Sequence, residues 1–342
     1  MRTLAVRLDS LGDVLITGPA VRALAASSSV TMLVGPEGRA AADLLTGVDD
    51  VICWDAPWIA ADPGPVRRDE IDALIDEIGR RRFDRAVVFT SFHQSALPTA
   101  LVLRMAGVPW IGAVSEDYPG SLLDLRHAPP GDIPEPVAAL ELAAACGAHL
   151  PPGDDGRLAI RPELLIGSAP PAATPYVVLH PGTSAPARAW PADHFRTACA
   201  ELTGLGHPVV VTGAPGEAPL TAHVADAAVT GAVDLGGRTD LRTLAPVLAG
   251  AEVVVVGNTG PAHLAAAVGT PVVSLFAPTV PAARWAPYGV PVALLGDQRA
   301  ACAATRATRC PVGGHPCLTS VEPTAVVQAV RQLVGRPVGV TA

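Results

Sequence analysis

Short apolar runs that alternate with longer helical patterns constrain the fold of this chain more than any other feature. The runs are nearly continuous in Val and Leu, and they occupy 3–8, 30–34, 86–90, 176–180, 208–212, 252–256 and 271–276. Continuous apolarity is typical of strands that are covered on both faces. Helical patterns follow most of them, at 13–26, 69–82, 191–205, 217–228, 240–249 and 261–268. The sequence therefore predicts an α/β protein with open parallel sheets that carry helices on both faces.

The length of 342 residues and a turn-rich stretch near the middle of the chain predict two domains. This stretch includes 150–156 and the Pro-rich segment 167–175, which has no apolar period. We expect domains at 1–165 and 172–325, whose strand ends can face a shared cleft. The tail at 326–342 begins in a last helical pattern, and the sequence leaves open whether it packs back on the first domain.

Charge and composition exclude several classes of protein. The net charge of −8 disfavours a nucleic-acid partner bound through its phosphates. All 24 basic residues are Arg, which excludes a Walker-type loop and means that any phosphate-binding cation has to be Arg. No apolar stretch is long enough to span a membrane, and charges interrupt the N-terminal run where a signal peptide would be apolar. We expect a cytoplasmic protein with reduced cysteines and at most peripheral contact with the inner membrane face.

The first polar cluster, Ser10-Leu11-Gly12-Asp13, comes directly after the first predicted strand. Asp13 at the start of a helix is explained by N-capping, because its carboxylate can satisfy free backbone N–H groups. The alternative is a carboxylate at the rim of a cleft that takes a proton from a hydroxyl. The residues alone favour the cap.

The second cluster follows the strand at 176–180 and resembles a phosphate site. It offers, in order, a glycine for close backbone approach, two hydroxyls and a cation: Gly182, Thr183, Ser184 and Arg188. Several donors and one positive charge are what a phosphate requires. An ordinary turn with a solvated Arg is the alternative.

Two more clusters follow strands in the second half of the chain. Glu217 either complements a helix dipole or accepts hydrogen bonds from two ribose hydroxyls, and its spacing does not separate these. The run from 257 to 263 places Asn258, Thr259 and Gly260 before a helix, which is the pattern of an anion cradle. Asn258 is also a candidate cap for that helix, and His263 could face either a cleft or the core.

Several motifs are missing from the sequence. There is no Asp-x-Asp motif for a carboxylate-held metal and no G-x-G-x-x-G after the first strand. Cys302, Cys310 and Cys317 lack the spacing of a zinc site, and we interpret them as structural or incidental thiols.

Taken in order, these clusters resemble glycosyltransferase family 9, the ADP-heptose heptosyltransferases. The resemblance rests on RLDSLGDVLITGPAVRAL near the N-terminus, PGTS with RAWP at 181–191, VVVTGAPGE at 209–217, the long block at 234–279, and Cys310-Pro311 with Pro316-Cys317-Leu318. The family implies a GT-B fold of two Rossmann-like domains, with the acceptor in the first and the nucleotide sugar in the second. It also implies inverting, metal-independent transfer that needs no cofactor.

The resemblance assigns roles to single residues. Asp13 matches the catalytic base, which reverses the preference for a cap, and Arg188 matches the phosphate-binding cation. Thr183 and Ser184 match the phosphate-loop hydroxyls, and Glu217 matches the ribose-binding acid.

A further part of the family pattern, Asp-Thr-Gly-x-x-His, is matched by Thr259, Gly260 and His263, but its Asp is replaced here by Asn258. This change removes a charge and puts the choice of donor sugar in question.

The expected partners are a nucleotide sugar, ADP-heptose first, and a glycan, lipid-linked or small-molecule acceptor. A nucleotide-sugar epimerase and a non-catalytic nucleotide-binding protein remain as alternatives.

Overall fold

The computed structural model describes residues 1–60, 63–128, 131–166, 171–173 and 175–334, and it divides into two compact units. The first unit is Met1–Ile160 and the second is Arg161–Ala342. This division falls inside the turn-rich stretch predicted near 150–175, a few residues before the expected end of the first domain at 165. Positions 167–170 and 174 of that stretch lie outside the described residues.

The first unit is a six-stranded parallel sheet in the order β3-β2-β1-β4-β5-β6. Its strands are β1 Arg2–Arg7, β2 Ser29–Val34, β3 Asp50–Cys53, β4 Arg85–Val88, β5 Ile111–Val114 and β6 Leu125–His127. Its α-helices are α1 Leu11–Ile16, α2 Gly18–Ala25, α3 Arg39–Ala42, α4 Arg68–Arg81, α5 Leu97–Met105 and α6 Glu135–Ala145. Short 3₁₀ helices span Pro36–Gly38 and Gly120–Leu122.

The second unit repeats this topology, with the strand order β12-β11-β10-β7-β8-β9. Its strands are β7 Tyr176–His180, β8 Val209–Val211, β9 Val233–Asp234, β10 Ala251–Gly257, β11 Val272–Leu275 and β12 Val292–Leu295. Its α-helices are α7 Ala192–Gly204, α8 Ala218–Ala225, α9 Ala227–Thr230, α10 Leu241–Ala249, α11 Gly260–Ala267, α12 Ala282–Trp285, α13 Pro316–Thr319 and α14 Pro323–Leu333. Its 3₁₀ helices are Pro162–Leu165, Pro186–Arg188 and Pro215–Glu217.

Both sheets have a switch point, the place where the strand order reverses direction. It lies between β1 and β4 in the first unit and between β7 and β10 in the second. Open α/β sheets bind their ligands outside the carboxyl ends of the strands at this point. The loops that follow these four strands are therefore the positions where a site is expected.

The helical pattern predicted over 13–26 forms two helices instead of one. α1 ends at Ile16 and α2 begins at Gly18, with Thr17 between them. Pro19 stands at the start of α2 and has no N–H to continue the hydrogen bonds of α1. The Thr17 hydroxyl donates to the carbonyl oxygen of Asp13 at 2.8 Å, which closes the end of the first helix. The break keeps α1 short.

The C-terminal helix α14 packs on the second unit. Val326 and Val330 are fully buried in the same core cluster as Leu202 of α7 and Val255 of β10. Each buried Val side chain stabilises the fold by about 1.5–3 kcal/mol. The apolar face of α14 is therefore buried within the second unit. Positions 335–342 of the tail lie outside the described residues.

Of the helices in the described part of the chain, none has the length and apolarity to cross a membrane.

Candidate active site

Asp13 lies in the first turn of α1, immediately after the central strand of the first sheet. Ser10 occupies the N-cap position, so the N-cap interpretation of Asp13 is wrong. The Ser10 hydroxyl donates to Asp13 Oδ2 at 2.8 Å, and Arg7 Nη2 donates to Asp13 Oδ1 at 3.0 Å. The Asp13 side chain retains 17% of its exposure, whereas the Arg7 side chain retains 3%. The site therefore presents a carboxylate that is held at both oxygens and still reached by solvent.

Arg7 is the residue in this group that the sequence analysis did not single out. Its Nε lies 2.9 Å from Asp9 Oδ2, and its Nη2 also donates to the hydroxyl of Ser91 at 2.9 Å. The Ser91 hydroxyl in turn donates to Asp9 Oδ2 at 3.0 Å, and the side-chain amide of Gln94 donates to Asp9 Oδ1. The loop after β4 thus joins the loop after β1 at the switch point of the first sheet.

The charges in this cluster affect one another strongly. Burial disfavours the charge of Arg7, but Asp9, Asp13 and Glu135 together outweigh it and raise the pKa of Arg7. Burial and the charge of Asp13 raise the pKa of the Asp9 carboxyl, against the opposing effect of Arg7. Arg7 is therefore a buried, permanent cation that is paired with Asp9 and Asp13.

In the second unit, the loop after β7 carries the predicted phosphate-binding residues. Gly182 is buried, Thr183 is half-buried and Ser184 is exposed. The hydroxyl of Thr183 accepts a hydrogen bond from the backbone N–H of Ala185 at 3.3 Å, which tightens the loop. Arg188 ends the following 3₁₀ helix.

Arg188 joins the two loops at the second switch point. Its Nη1 donates to the backbone carbonyl of Asn258 at 3.2 Å, although the two residues are 70 positions apart in sequence. Thr259 occupies the N-cap position of α11, and Gly260 is the first residue of this helix. A helix N-terminus presents N–H groups and the positive end of its dipole. The two loops at this switch point thus carry a guanidinium, two hydroxyls and a helix N-terminus.

The loop is also braced from the C-terminal part of the unit. The backbone N–H of Ala187 donates to the carbonyl of Thr308 at 2.9 Å, and His315 Nε2 lies 2.9 Å from the carbonyl oxygen of Ala187. The segment that carries the late cysteines therefore holds the turn that ends in Arg188. All six cysteines are free thiols, and among the described residues no group of His, Cys, Asp and Glu side chains is placed to hold a metal ion.

Glu217 lies directly against Gly182. A Cβ atom at Gly182 would come within 2.1 Å of Glu217 Oε2, so only glycine allows this approach. Glu217 Oε2 also accepts a hydrogen bond from the backbone N–H of Ala214 at 2.8 Å. The carboxylate thus closes the turn in which it stands and lies beside the loop after β7.

Asn258 and His263 are both buried. The amide of Asn258 donates from Nδ2 to the carbonyl of Ala277 and accepts at Oδ1 from the N–H of the same residue, both at 3.3 Å. Because Thr259 is at the N-cap of α11, the interpretation of Asn258 as that cap is wrong. Asp could accept from Ala277 but could not donate to it, so the amide suits this position. His263 is 6% exposed on α11, next to this clamp in sequence.

His180, the last residue of β7, is a buried group that the sequence analysis missed. Its Nδ1 lies 2.9 Å from the hydroxyl of Thr212. Burial lowers the pKa of His180 to about 4, because the charged imidazolium is poorly solvated there. The neutral ring supports the strand end from which the loop at Gly182 begins.

The low pKa of His180 predicts a loss of stability on acidification. The unfolded chain binds a proton near the ordinary pKa of His, about 6.5, and the folded chain does not until about pH 4. The free energy of unfolding should therefore fall as the pH drops through this window, by about 2 kcal/mol between about pH 7 and about pH 5. Urea unfolding of the wild type and of His180→Gln measures the difference. Parallel pH dependences in the two proteins would contradict this assignment.

Two doubly wound sheets, each with charged and hydroxyl-bearing loops at its switch point, define an α/β protein of the class that binds its ligands outside the carboxyl ends of its strands. Comparison with known proteins agrees with this class. The model of glycosyltransferase family 9 (heptosyltransferase) matches residues 71–315.

Individual relatives give the same result. Lipopolysaccharide heptosyltransferase 1 of Escherichia coli strain K12 is 28% identical over 301 residues, which cover 82% of this chain and 89% of that protein. The E. coli heptosyltransferase WaaC, solved with ADP, aligns with a TM-score of 0.76 and 22% identity over 98% of this chain and all of that one. A family 9 glycosyltransferase from Veillonella parvula aligns with a TM-score of 0.75 and 17% identity over 97% and 96% of the two chains.

The chain belongs to glycosyltransferase family 9 and is a glycosyltransferase. Its fold is the GT-B fold of the heptosyltransferases that it matches.

Proposed function

We propose that the enzyme transfers a heptose, or a closely similar sugar, from an ADP-linked donor to an acceptor hydroxyl, with inversion and without a metal. The observation that carries this proposal is the group of Arg188, the two loop hydroxyls and the N-terminus of α11 at one switch point. The family supports the sugar, and the capture of ADP by WaaC supports the nucleotide.

The second unit, from about residue 172 to 325, is the proposed donor-binding domain. A diphosphate carries its charge on oxygens that need several donors at once. Arg188, Thr183 and Ser184 supply a fork of N–H groups and two hydroxyls, and Gly260 begins the helix whose dipole faces the same loop. These groups act most strongly when the leaving diphosphate gains charge in the transition state, which makes a metal ion unnecessary in this proposal.

Glu217 is the proposed acceptor for the ribose hydroxyls of the donor. One of its carboxylate oxygens bonds the N–H of Ala214, and a carboxylate has lone pairs left to receive two hydroxyl groups. Asn258 and His263 follow β10, the strand on the other side of β7, and we place the sugar side of the donor there. Because the Asn258 amide is engaged with Ala277, we propose that it acts on the donor by fixing the loop.

Asp13 is the proposed general base, in the first unit at 1–165 where we place the acceptor. Its carboxylate takes the proton of the acceptor hydroxyl. The hydroxyl oxygen bonds to the anomeric carbon from the face opposite the diphosphate, and the bond from that carbon to the diphosphate oxygen breaks with its electron pair. Proton transfer of this kind contributes about 10²–10⁴-fold to a rate.

The acceptor in this proposal is a glycan, a lipid-linked sugar or a small molecule. The name of the relative, lipopolysaccharide heptosyltransferase 1, supports a glycan or a lipid-linked sugar. We place the reaction in the cytoplasm, with at most peripheral contact at the inner membrane face. The six free thiols fit a reducing compartment.

A panel of nucleotide sugars tests the proposed donor. We expect ADP-heptose to raise the thermal unfolding temperature more than UDP- or GDP-sugars, and the shift to persist in EDTA. With an acceptor, ADP should be released together with a glycosylated product of inverted anomeric configuration. Conversion of the donor sugar without an acceptor would instead show an epimerase. Binding with neither transfer nor slow donor hydrolysis would show a non-catalytic protein.

Gly182→Ala tests the placement of Glu217. The new Cβ would displace the Glu217 carboxylate, so donor affinity should fall by about 10-fold or more, as for a lost hydrogen bond to a charged group. Stability should fall by only about 1 kcal/mol, because a flexible side chain can move and only its bond to Ala214 is lost. Gly216→Ala is the matched control, since a Cβ there meets no atom within 4 Å. Calorimetric titration with ADP measures both variants, and equal affinities would contradict the role of Glu217.

A further inference from the structure

The charged group at the end of β1 is unusual for a central strand. Arg7 is 2% exposed, in a strand whose inner residues are fully buried. A buried cation is costly unless it is paired and hydrogen-bonded, and one well-placed carboxylate is enough to pair it. Two carboxyl groups pair with Arg7, Asp9 from the loop after β1 and Asp13 from α1. The charge of Glu135, at the start of α6, also raises the pKa of Arg7. Arg7 therefore has more partners than an ion pair for stability requires.

These partners differ in their burial and in what else holds them. The Asp9 side chain is only 6% exposed, and it is fixed by the Ser91 hydroxyl and the Gln94 amide as well as by Arg7 Nε. Asp13 is the more exposed carboxylate, and it receives Arg7 Nη2 on one oxygen only. Arg7 Nε thus pairs with an aspartate that Ser91 and Gln94 hold in place. Arg7 Nη2 donates to Asp13.

We propose that Arg7 is the positioning residue of the catalytic carboxylate, and that Asp9, Ser91 and Gln94 form a brace that fixes Arg7 for this purpose. The inference rests on the proposed role of Asp13 as the base. The guanidinium supplies the positive charge next to Asp13, and the hydrogen bond from its Nη2 holds Oδ1 in place. Oδ2, which bonds the exposed Ser10 hydroxyl, is then the oxygen that receives the acceptor proton.

Charge and direction are separate contributions of Arg7, and variants can separate them. Arg7→Gln removes the charge, so Asp13 would stand near the Asp9 carboxyl group with no cation at Nη2. We expect kcat to fall about 30- to 100-fold and the acid limb of the kcat/KM profile to move up by about one pH unit, as for the loss of a neighbouring opposite charge. Arg7→Lys keeps the charge but loses the fork, so kcat should fall about 10-fold with the acid limb in place.

Ser91→Ala loosens the brace without touching Asp13. The hydroxyl bonds both Arg7 and Asp9, and its loss should lower kcat about 3- to 10-fold with no change in the KM for the donor. Arg22→Lys is the matched control, because Arg22 is a partly buried arginine of the first unit that is paired with Asp154 at 2.6 Å. It should change stability but leave kcat and the pH profile within about twofold of the wild type.

Steady-state kinetics with the full chain, from about pH 5 to about pH 9, measures kcat and the acid limb of the kcat/KM profile for each variant. Circular dichroism shows whether each variant is folded. A folded Arg7→Gln whose acid limb stays in place overturns the inference. If Arg7→Gln does not fold, wild-type kcat in both Arg7→Lys and Ser91→Ala overturns it. Asp13→Asn, measured alongside, separates the two proposals. An active Asp13→Asn defeats the proposed base itself, whereas an inactive one beside normal Arg7 and Ser91 variants defeats only the positioning role.

Discussion

Asp13→Asn should lower the rate of sugar transfer by about 10²–10⁴-fold, the range that a positioned general base contributes. The amide has the size of the carboxylate, and its carbonyl oxygen can still accept from Arg7 Nη2, so the fold of the first unit should be kept. What is lost is the ability to take the proton of the acceptor hydroxyl. Initial rates of ADP release at saturating donor and acceptor measure the effect.

The affinity for the donor provides the internal check on Asp13→Asn. Every residue that we propose for donor binding belongs to the second unit, so the dissociation constant for ADP should stay within about twofold of the wild type. Asp43→Asn is the control substitution, since Asp43 is an exposed carboxylate of the same unit whose ion pair with Arg39 is also exposed. Transfer by Asp13→Asn at a tenth of the wild-type rate or more would remove Asp13 from the mechanism.

Arg188→Ala should produce the second large loss, about 10²–10³-fold in kcat/KM, which is the typical effect of removing one donor aimed at developing negative charge. The substitution also cuts the contact between the loop after β7 and the carbonyl of Asn258. We therefore expect both kcat and the affinity for ADP to fall. Steady-state kinetics with varied donor measures the two together.

Arg188→Lys separates charge from geometry at this position. An ammonium supplies the charge without the planar fork, so it should recover part of the rate but not all of it. Arg196→Ala is the control, because Arg196 is an exposed arginine on α7 that makes only long ion pairs, at 3.8 and 3.9 Å. A kcat/KM for Arg188→Ala close to that of Arg196→Ala would show that the diphosphate binds elsewhere.

The central strands of both sheets could be predicted from the sequence. All seven apolar runs are confirmed as strands. A strand that is covered on both faces has apolar side chains at nearly every position, so its sequence is recognisable. The strands that the sequence analysis missed are short and lie at or near the sheet edges. β3, Asp50–Cys53, and β6, Leu125–His127, are partly exposed and contain charged residues, so neither produces such a run.

The candidate site was only partly predictable, and the reason is the same in both units. Pairs such as Arg7 with Ser91, or Arg188 with Asn258, come together because two strands are neighbours in the sheet, and local patterns do not encode strand order. One local signal was available, since Arg7 and Asp9 are two charged residues at the end of an otherwise apolar run. A charge pair at such a place indicates a buried network.

The two sheets share one strand order, and the division between the two units falls after Ile160. Among the described residues, each unit therefore carries its own sheet and its own switch-point loops. If the proposed roles of the two units hold, a chimaera joined there to the second half of another family 9 enzyme should take the nucleotide preference of its new half and keep the acceptor of the old one. Substrate choice in this chain would then be exchangeable in modules, with nucleotide and acceptor free to diverge separately.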